Sequence, residues 1–116
     1  MNVDPAARND RLVETLIDIL GTDQVITDEG EREYYASDVY SVGVMPSVAI
    51  RPTEKSKLAE AVSAATKEGY AVIPRGGGMS YTGGYRPVRE DTVTIDLSAM
   101  NEIIEINEED LYITVQ

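Results

Sequence analysis

Five of the nine glycines in this chain fall within nine consecutive residues, 76–84, in the string GGGMSYTGG. Glycine backbone adopts conformations closed to other residues, and its N–H groups can approach a ligand closely, which is how glycine-rich loops hold phosphate oxygens. The surrounding residues 69–89 contain Arg75, Arg86 and Arg89 and no acid, in a chain of formal charge −11. A cationic stretch in an acidic chain favours one small anionic ligand bound at one place. The sequence therefore predicts an anion site, and a dinucleotide pyrophosphate fits it.

Two widespread phosphate-binding motifs do not match this loop. A Walker loop needs a Lys after its last glycine, and no Lys follows any glycine of the cluster. A Rossmann fingerprint needs glycines at positions i, i+2 and i+5, but the third position counted from Gly76 is Tyr81, and the second counted from Gly78 is Ser80. The alternative is that GGGMSYTGG is only a flexible connection, with Gly83 and Gly84 forming a hairpin turn.

The residue types that are absent exclude several mechanisms. The chain has no His and no Cys, so it can form no Ser-His or Cys-His nucleophile pair, no disulfide, and no metal site with nitrogen or thiolate ligands. The excess of 21 acids over 10 bases opposes binding to nucleic acid or to an anionic membrane. The adjacent acids 108–110 are a weak candidate for a metal site, because neighbouring acids seldom converge on one ion.

The glycine loop follows a strand–helix–strand pattern. Residues 47–52, SVAIRP, form a short β-branched run, and residues 70–74, YAVIP, form a second apolar run. Between them, a helix is expected from a cap at Thr53 to an end at Gly69. Two such strands should lie parallel, with a right-handed crossover.

Further elements are expected on both sides of this unit. Asp4, Pro5 and Gly21 bound an N-terminal helix, and residues 31–36 predict a shorter one. After the loop, three runs have the apolar pattern of strands: residues 92–97, 102–106 and 111–116. We expect these runs to pair antiparallel. The fold class is α+β: a small parallel βαβ portion followed by mainly antiparallel strands.

Length and hydropathy predict one soluble domain. The chain has 116 residues, of which 42% are hydrophobic. No apolar run approaches the roughly 20 residues needed to cross a bilayer, and residues 1–11 have no signal-like stretch, so a cytoplasmic protein is expected. The last run, LYITVQ, stops while a strand is in progress, which predicts that the chain is a fragment of a longer protein.

Two strings carry a resemblance to a known family. Residues 74–87, PRGGGMSYTGGYRP, and residues 94–106, TIDLSAMNEIIEI, resemble the FAD-binding domain of vanillyl-alcohol oxidase or PCMH-type flavoproteins. Within that superfamily the chain is most similar to the group formed by the FAD-binding glycolate oxidase subunits and the D-lactate dehydrogenases. Residues 49–77 and 31–38 also follow the family's pattern, so the resemblance extends from about residue 11.

The resemblance implies where FAD would bind. FAD would extend between a small parallel portion, which ends in the glycine loop, and a larger mainly antiparallel portion. Backbone N–H groups of residues 76–80 would ring the pyrophosphate, and the Ser80 hydroxyl would donate one more bond. The implied cofactor-binding residues are Pro74, Arg75, Gly76, Gly77, Gly78, Met79, Ser80, Gly83 and Gly84. For Arg75, a phosphate contact and a role in fixing the loop are equal alternatives, and Pro52 falls near the adenine half.

The resemblance also implies how FAD is held and what is missing. Some family members attach the flavin covalently to a His that aligns with Met79, and this chain has no His or Cys. A link through one of its seven Tyr residues is conceivable, but a buried or stacking Tyr is the more ordinary role, so FAD should be non-covalent here. Residues 1–116 would be the N-terminal portion of the FAD-binding domain, without its remainder and without the substrate domain. The partners would be FAD, the rest of the polypeptide and a small-molecule substrate.

The implied function is FAD binding in a flavin-dependent oxidoreductase that acts on a 2-hydroxy acid or a related alcohol. This portion would position the FAD pyrophosphate and would be inactive alone, and no catalytic residue is assigned within it. The alternative is a stand-alone nucleotide-binding or protein-interaction module without catalysis.

Overall fold

The computed structural model describes residues 4–116, and within them the fold consists of three α-helices, a short 3-10 turn and six strands. The helices are α1 (Pro5–Leu20), α2 (Glu29–Tyr34) and α3 (Lys55–Lys67), and the 3-10 turn is Thr22–Gln24. The strands are β1 (Val25–Ile26), β2 (Val48–Ile50), β3 (Ala71–Arg75), β4 (Thr92–Asp96), β5 (Ile103–Asn107) and β6 (Tyr112–Val115).

The first four strands form one mixed sheet, in the order β1-β2-β4-β3. Strand β4 is parallel to both of its neighbours, with Val48 opposite Val93 on one side and Arg75 opposite Asp96 on the other. The predicted parallel orientation of β2 and β3 is therefore confirmed, although β4 lies between them. Strand β1 adds to the edge antiparallel to β2. The α+β class is confirmed by this sheet and by the hairpin described below.

The predicted antiparallel pairing of residues 92–97 was wrong. Alternation of Thr with Val and Ile in this segment is typical of a half-exposed antiparallel strand. All five residues of β4 are nevertheless buried, because both faces of this central strand are covered. Val93 and Ile95 face the helices, whereas Thr92, Thr94 and Asp96 are buried on the other face.

Helices α1 and α3 pack together on one face of the sheet. Their buried residues, with those of β2 and β4 and with Tyr70 just before β3, form the main core: Leu12, Leu16, Leu20, Val48, Ile50, Ala61, Ala65, Tyr70, Val93 and Ile95. A smaller cluster on the opposite face contains Ile26, Tyr35 and Ala49. The sheet therefore lies between the helix pair and the segment that carries Tyr35.

The helix ends show which of the predicted capping residues lie at the observed helix boundaries. Helix α1 begins after Asp4 and is followed by Gly21, whose positive φ of 88° is a backbone conformation that favours glycine. Helix α2 begins two residues earlier than predicted, because the Asp28 side chain accepts a hydrogen bond from the Glu31 backbone N–H. Thr53 does not cap α3: the helix begins after Glu54, and the Thr53 hydroxyl instead accepts a bond from the Gln24 amide.

Strands β5 and β6 form a separate antiparallel hairpin, as predicted for these two runs. Its apolar side chains are exposed, among them Ile103, Ile104, Ile106, Ile113 and Val115. In the described part of the chain, no helix has the length and apolar character required to cross a membrane.

Candidate functional site

The carboxyl ends of the three parallel strands meet at one edge of the sheet. Strand β2 leads into Arg51 and Pro52, β3 ends in Arg75 and the glycines, and β4 ends in Asp96. Ligands of open sheets with parallel strands bind outside this edge. The register of the sheet thus places the predicted anion loop where a ligand site is expected.

The glycine loop presents bare backbone at its first two positions. A Cβ atom added to Gly76 or Gly77 would meet no atom within 4 Å, so a ligand has open access to this backbone. Gly78 and Gly83 have φ values of 73° and 71°, the left-handed region that favours glycine. These positions have the chemistry and the access that a phosphate group needs.

The rest of the loop is held by specific contacts. The Tyr85 hydroxyl donates a 2.7 Å bond to the Gly78 carbonyl, and the Arg86 N–H donates to the Gly83 carbonyl. The Ser80 and Thr82 hydroxyls lie 3.0 Å apart, and the Met79 side chain is exposed. The alternative of a hairpin turn at Gly83 and Gly84 was wrong, because β3 and β4, the strands on either side, run parallel.

A second loop, residues 37–44, packs along the glycine loop. The Asp38 carboxylate accepts bonds from the Tyr40 and Ser41 N–H groups, which hold its pKa below the usual range. Arg86 donates to the Ser41 hydroxyl, and a Cβ on Gly43 would lie 2.4 Å from the Pro87 carbonyl oxygen. Only glycine permits this close approach of the two loops.

The three arginines of residues 69–89 do not converge on one point. Arg75 is buried at the carboxyl end of β3 and Arg86 contacts Ser41, whereas Arg89 bonds to Asp91 and to the Gly69 carbonyl near the amino end of β3. Charge counted along the sequence therefore overstated the cationic character of the loop. Arg75 is the arginine that immediately precedes its glycines.

Asp96 is the centre of a buried polar network that sequence reasoning missed. Its Oδ2 accepts a 2.6 Å bond from the Tyr35 hydroxyl and a 3.2 Å bond from Arg51 Nε, while Oδ1 accepts from the Ser98 N–H. Burial opposes ionisation of Asp96, but the hydrogen bonds from Ser98, Tyr35 and Arg51 outweigh it and hold the pKa of the carboxyl below its usual range. An acid at the end of a β-branched strand was the one local signal for this site.

The network joins the carboxyl ends of β2 and β4, which lie at the edge of the sheet where a ligand is expected. Arg51 Nη2 donates to the Tyr35 hydroxyl, so the ends of β2 and β4 are linked through Tyr35. Burial, followed by the bond to Asp96, raises the pKa of Tyr35, which remains a neutral phenol at physiological pH. No group of three or more acidic side chains is placed to hold a metal ion within residues 4–116.

Comparison with known proteins identifies the family. The protein-family model described as the FAD binding domain matches residues 46–116 of this chain. The FAD-linked oxidoreductase YgcU of Escherichia coli K12 is 32% identical over 117 aligned residues, covering 90% of this chain and 24% of that protein. The glycolate oxidase subunit GlcD of Bacillus subtilis is 29% identical, covering 89% of this chain and 22% of that protein.

A solved structure agrees with these relatives. The 4-ethylphenol oxidase of Gulosibacter chungangensis superposes with a TM-score of 0.81 and 26% identity, over 95% of this chain and 22% of that chain. The chain thus spans less than a quarter of the length of YgcU and GlcD. The match includes β2, α3, the glycine loop and all later strands, and it confirms the resemblance and FAD as the cofactor. The chain belongs to the family of FAD binding domains.

Proposed function

We propose that residues 76–80 bind the pyrophosphate of FAD through their backbone N–H groups. The observation that carries this proposal is the open backbone of Gly76 and Gly77 at the carboxyl edge of the parallel strands. A phosphate oxygen accepts hydrogen bonds from such N–H groups without a side chain in the way. Met79, Ser80, Gly83 and Gly84 continue the same surface, and Pro74 precedes it.

The chain's own residues hold the cofactor and perform no chemical step in this proposal. When bound, FAD supplies a flavin ring that accepts a hydride. Gly76 and Gly77 bind the pyrophosphate, and the Ser80 hydroxyl orients toward it once released from Thr82. Attachment through His or Cys is excluded for this chain, since it contains neither, and FAD is held here without a covalent bond.

The test is a titration of this chain with FAD, followed by flavin fluorescence and thermal stability. A ligand that binds only the folded state raises the apparent stability. Gly77→Ala should not lower the unliganded stability, because its Cβ meets nothing, yet it should weaken FAD binding about ten-fold by filling space next to the phosphate. Gly77→Asp should abolish binding, because it adds a negative charge there.

Ser63→Asp is the charge-matched control, because Ser63 is exposed on α3 outside the loop. It should bind FAD as the wild type does. Equal loss in Ser63→Asp and Gly77→Asp would mean that net charge, and not the loop, governs binding. Unchanged binding by both Gly77 variants would overturn the assignment.

We further propose that the chain is the N-terminal part of a longer FAD-dependent oxidoreductase that acts on a 2-hydroxy acid or a related alcohol. The similarity to a glycolate oxidase subunit and the small share of each relative that the chain spans support this proposal. In the complete protein, at least one compound in a panel of 2-hydroxy acids and related alcohols should bleach the visible absorbance of bound FAD under anaerobic conditions. If no acid or alcohol in the panel reduces the flavin, the substrate class is wrong.

A further inference from the structure

The Arg75 side chain is enclosed by aromatic rings. Its guanidinium carbon lies 4.6 Å from the ring centre of Tyr34, 4.7 Å from that of Tyr85 and 5.6 Å from that of Tyr35. Nη1 donates a 3.1 Å bond to the Ser37 carbonyl, and Arg75 as a whole is 7% exposed. Within residues 4–116 it forms no ion pair with a carboxylate. The cation is therefore stabilised by ring faces and one carbonyl, and these contacts fix its orientation.

Gly78 lies against this cation. A Cβ atom on Gly78 would lie 3.0 Å from Arg75 Nη2, and the Gly78 carbonyl accepts the bond from the Tyr85 hydroxyl. Since the Tyr85 ring also contacts Arg75, the three residues form a closed set in which each touches the other two. The left-handed conformation of Gly78 is thus held from two sides.

The segment between Arg75 and Gly78 is the open backbone of the loop. Arg75 anchors one end, because its carbonyl accepts a 2.9 Å bond from the Leu97 N–H. Gly78 is the other end: its carbonyl accepts the bond from Tyr85, and the Arg75 guanidinium, which packs on the Tyr85 ring, lies next to it. The Arg75 backbone therefore fixes one end of the Gly76–Gly77 segment, and the Arg75 side chain lies against the other end.

We propose that Arg75 is a positioning residue for anion binding, which holds Gly78 and so sets the arrangement of the loop's N–H groups, and that it does not contact the phosphate. This inference deepens the proposed function and rests on it where FAD is the anion. Of the two alternatives for Arg75, a phosphate contact or a role in fixing the loop, this proposal favours the second, with Tyr85 as the partner residue.

The first test needs no ligand. Arg75→Met keeps the length of the side chain and removes its charge, and Tyr85→Phe keeps the ring and removes the bond to Gly78. In isotope-labelled chain without FAD, both variants should shift the amide resonances of residues 76–78 and accelerate their hydrogen exchange. Unchanged amides in Arg75→Met, with circular dichroism and melting like the wild type, would overturn the proposal.

The second test is a double-mutant cycle on FAD affinity. Each single variant should raise the FAD Kd about five-fold, the effect of losing one ordering hydrogen bond. The double variant should lose no more than the weaker-binding single variant, because both act through Gly78. Additive losses would show that Arg75 acts independently of Tyr85, as a direct phosphate contact does, and would also overturn the proposal.

Arg89→Met is the matched control, since it removes the same charge near the other end of β3. It should leave residues 76–78 and the FAD Kd as in the wild type. If the wild-type chain binds no FAD, the proposed function fails for this chain, and the ligand-free amide measurement alone then decides whether Arg75 positions the loop.

Discussion

The Tyr35 hydroxyl donates a 2.6 Å hydrogen bond to the Asp96 carboxylate, between residues 61 positions apart in the sequence. Both side chains are buried, with exposed fractions of 1% for Tyr35 and 6% for Asp96. The bond joins the segment after α2 to the central strand of the sheet. Arg51 donates to the same hydroxyl and to the same carboxylate, so the three side chains link the carboxyl ends of β2 and β4.

Removal of this bond should destabilise the chain. Tyr35→Phe leaves a buried carboxylate with one donor fewer, so the free energy of unfolding should fall by about 1.5–3 kcal/mol. Urea unfolding at neutral pH measures the loss. Tyr34→Phe is the control, because Tyr34 is exposed, and it should change stability by less than about 0.5 kcal/mol. Equal effects at the two neighbours would contradict the network.

The free energy of unfolding should fall at low pH, in part because Asp96 becomes protonated. Because the folded-state pKa of Asp96 is lowered, its contribution is fully present above the unfolded pKa and is lost as the pH falls through the folded value. Asp38, Glu68 and Asp91 have lowered pKa values too, so the wild type should lose stability below about pH 4. Asp96→Asn should show a shallower loss over that range in urea titrations. A slope equal to that of the wild type would exclude Asp96 from the effect.

Alanine at two glycines of the loop should have different effects on stability. Gly78→Ala places a Cβ in a left-handed residue and 3.0 Å from Arg75, so it should cost about 1–2 kcal/mol. Gly76→Ala meets no atom and should be neutral or should stabilise by up to about 1 kcal/mol, because it restricts the unfolded chain. Thermal melts of the unliganded variants distinguish them. Equal melting temperatures would mean that Gly78 is not held as described.

Two buried threonines of β4 offer a matched pair. The Thr94 hydroxyl has no hydrogen-bond partner among the described residues, whereas the Thr92 hydroxyl donates to the Arg89 carbonyl at 2.6 Å. Thr94→Val should therefore stabilise the chain by about 1 kcal/mol, and Thr92→Val should destabilise it by a similar amount. Chemical denaturation gives both values. Destabilisation by Thr94→Val would show that its hydroxyl is satisfied.

Local signals in the sequence predicted the elements that depend on nearby residues. Asp4, Pro5 and Gly21 gave the bounds of α1, and the cluster after residue 75 gave the glycine loop. These features rest on backbone preferences within a few positions, which one sequence displays. The parallel pairing of β4 depends on β2 and β3, which are distant in the sequence. The threonines of β4 are buried, but their alternation with apolar residues has the pattern of a half-exposed strand.

The position of the glycine loop could be predicted from the sequence, whereas the side chains that support the loop could not. The family resemblance located residues 74–84, but left the role of Arg75 open between two alternatives. The rings that enclose Arg75 come from residues 34, 35 and 85, and no spacing in the sequence brings them together. Side-chain cages of this kind are set by the tertiary fold, which periodicity does not report.

The central position of β4 has a consequence for the order in which the chain can fold. Strand β4 is the last strand of its sheet to leave the ribosome, yet β2 and β3 pair with it and not with each other. Until residue 96 has emerged, these two strands have no shared partner, and pairing across such sequence distances is slow. The glycine loop is therefore synthesised before the strand that supports it, and we expect it to become ordered only when β4 inserts.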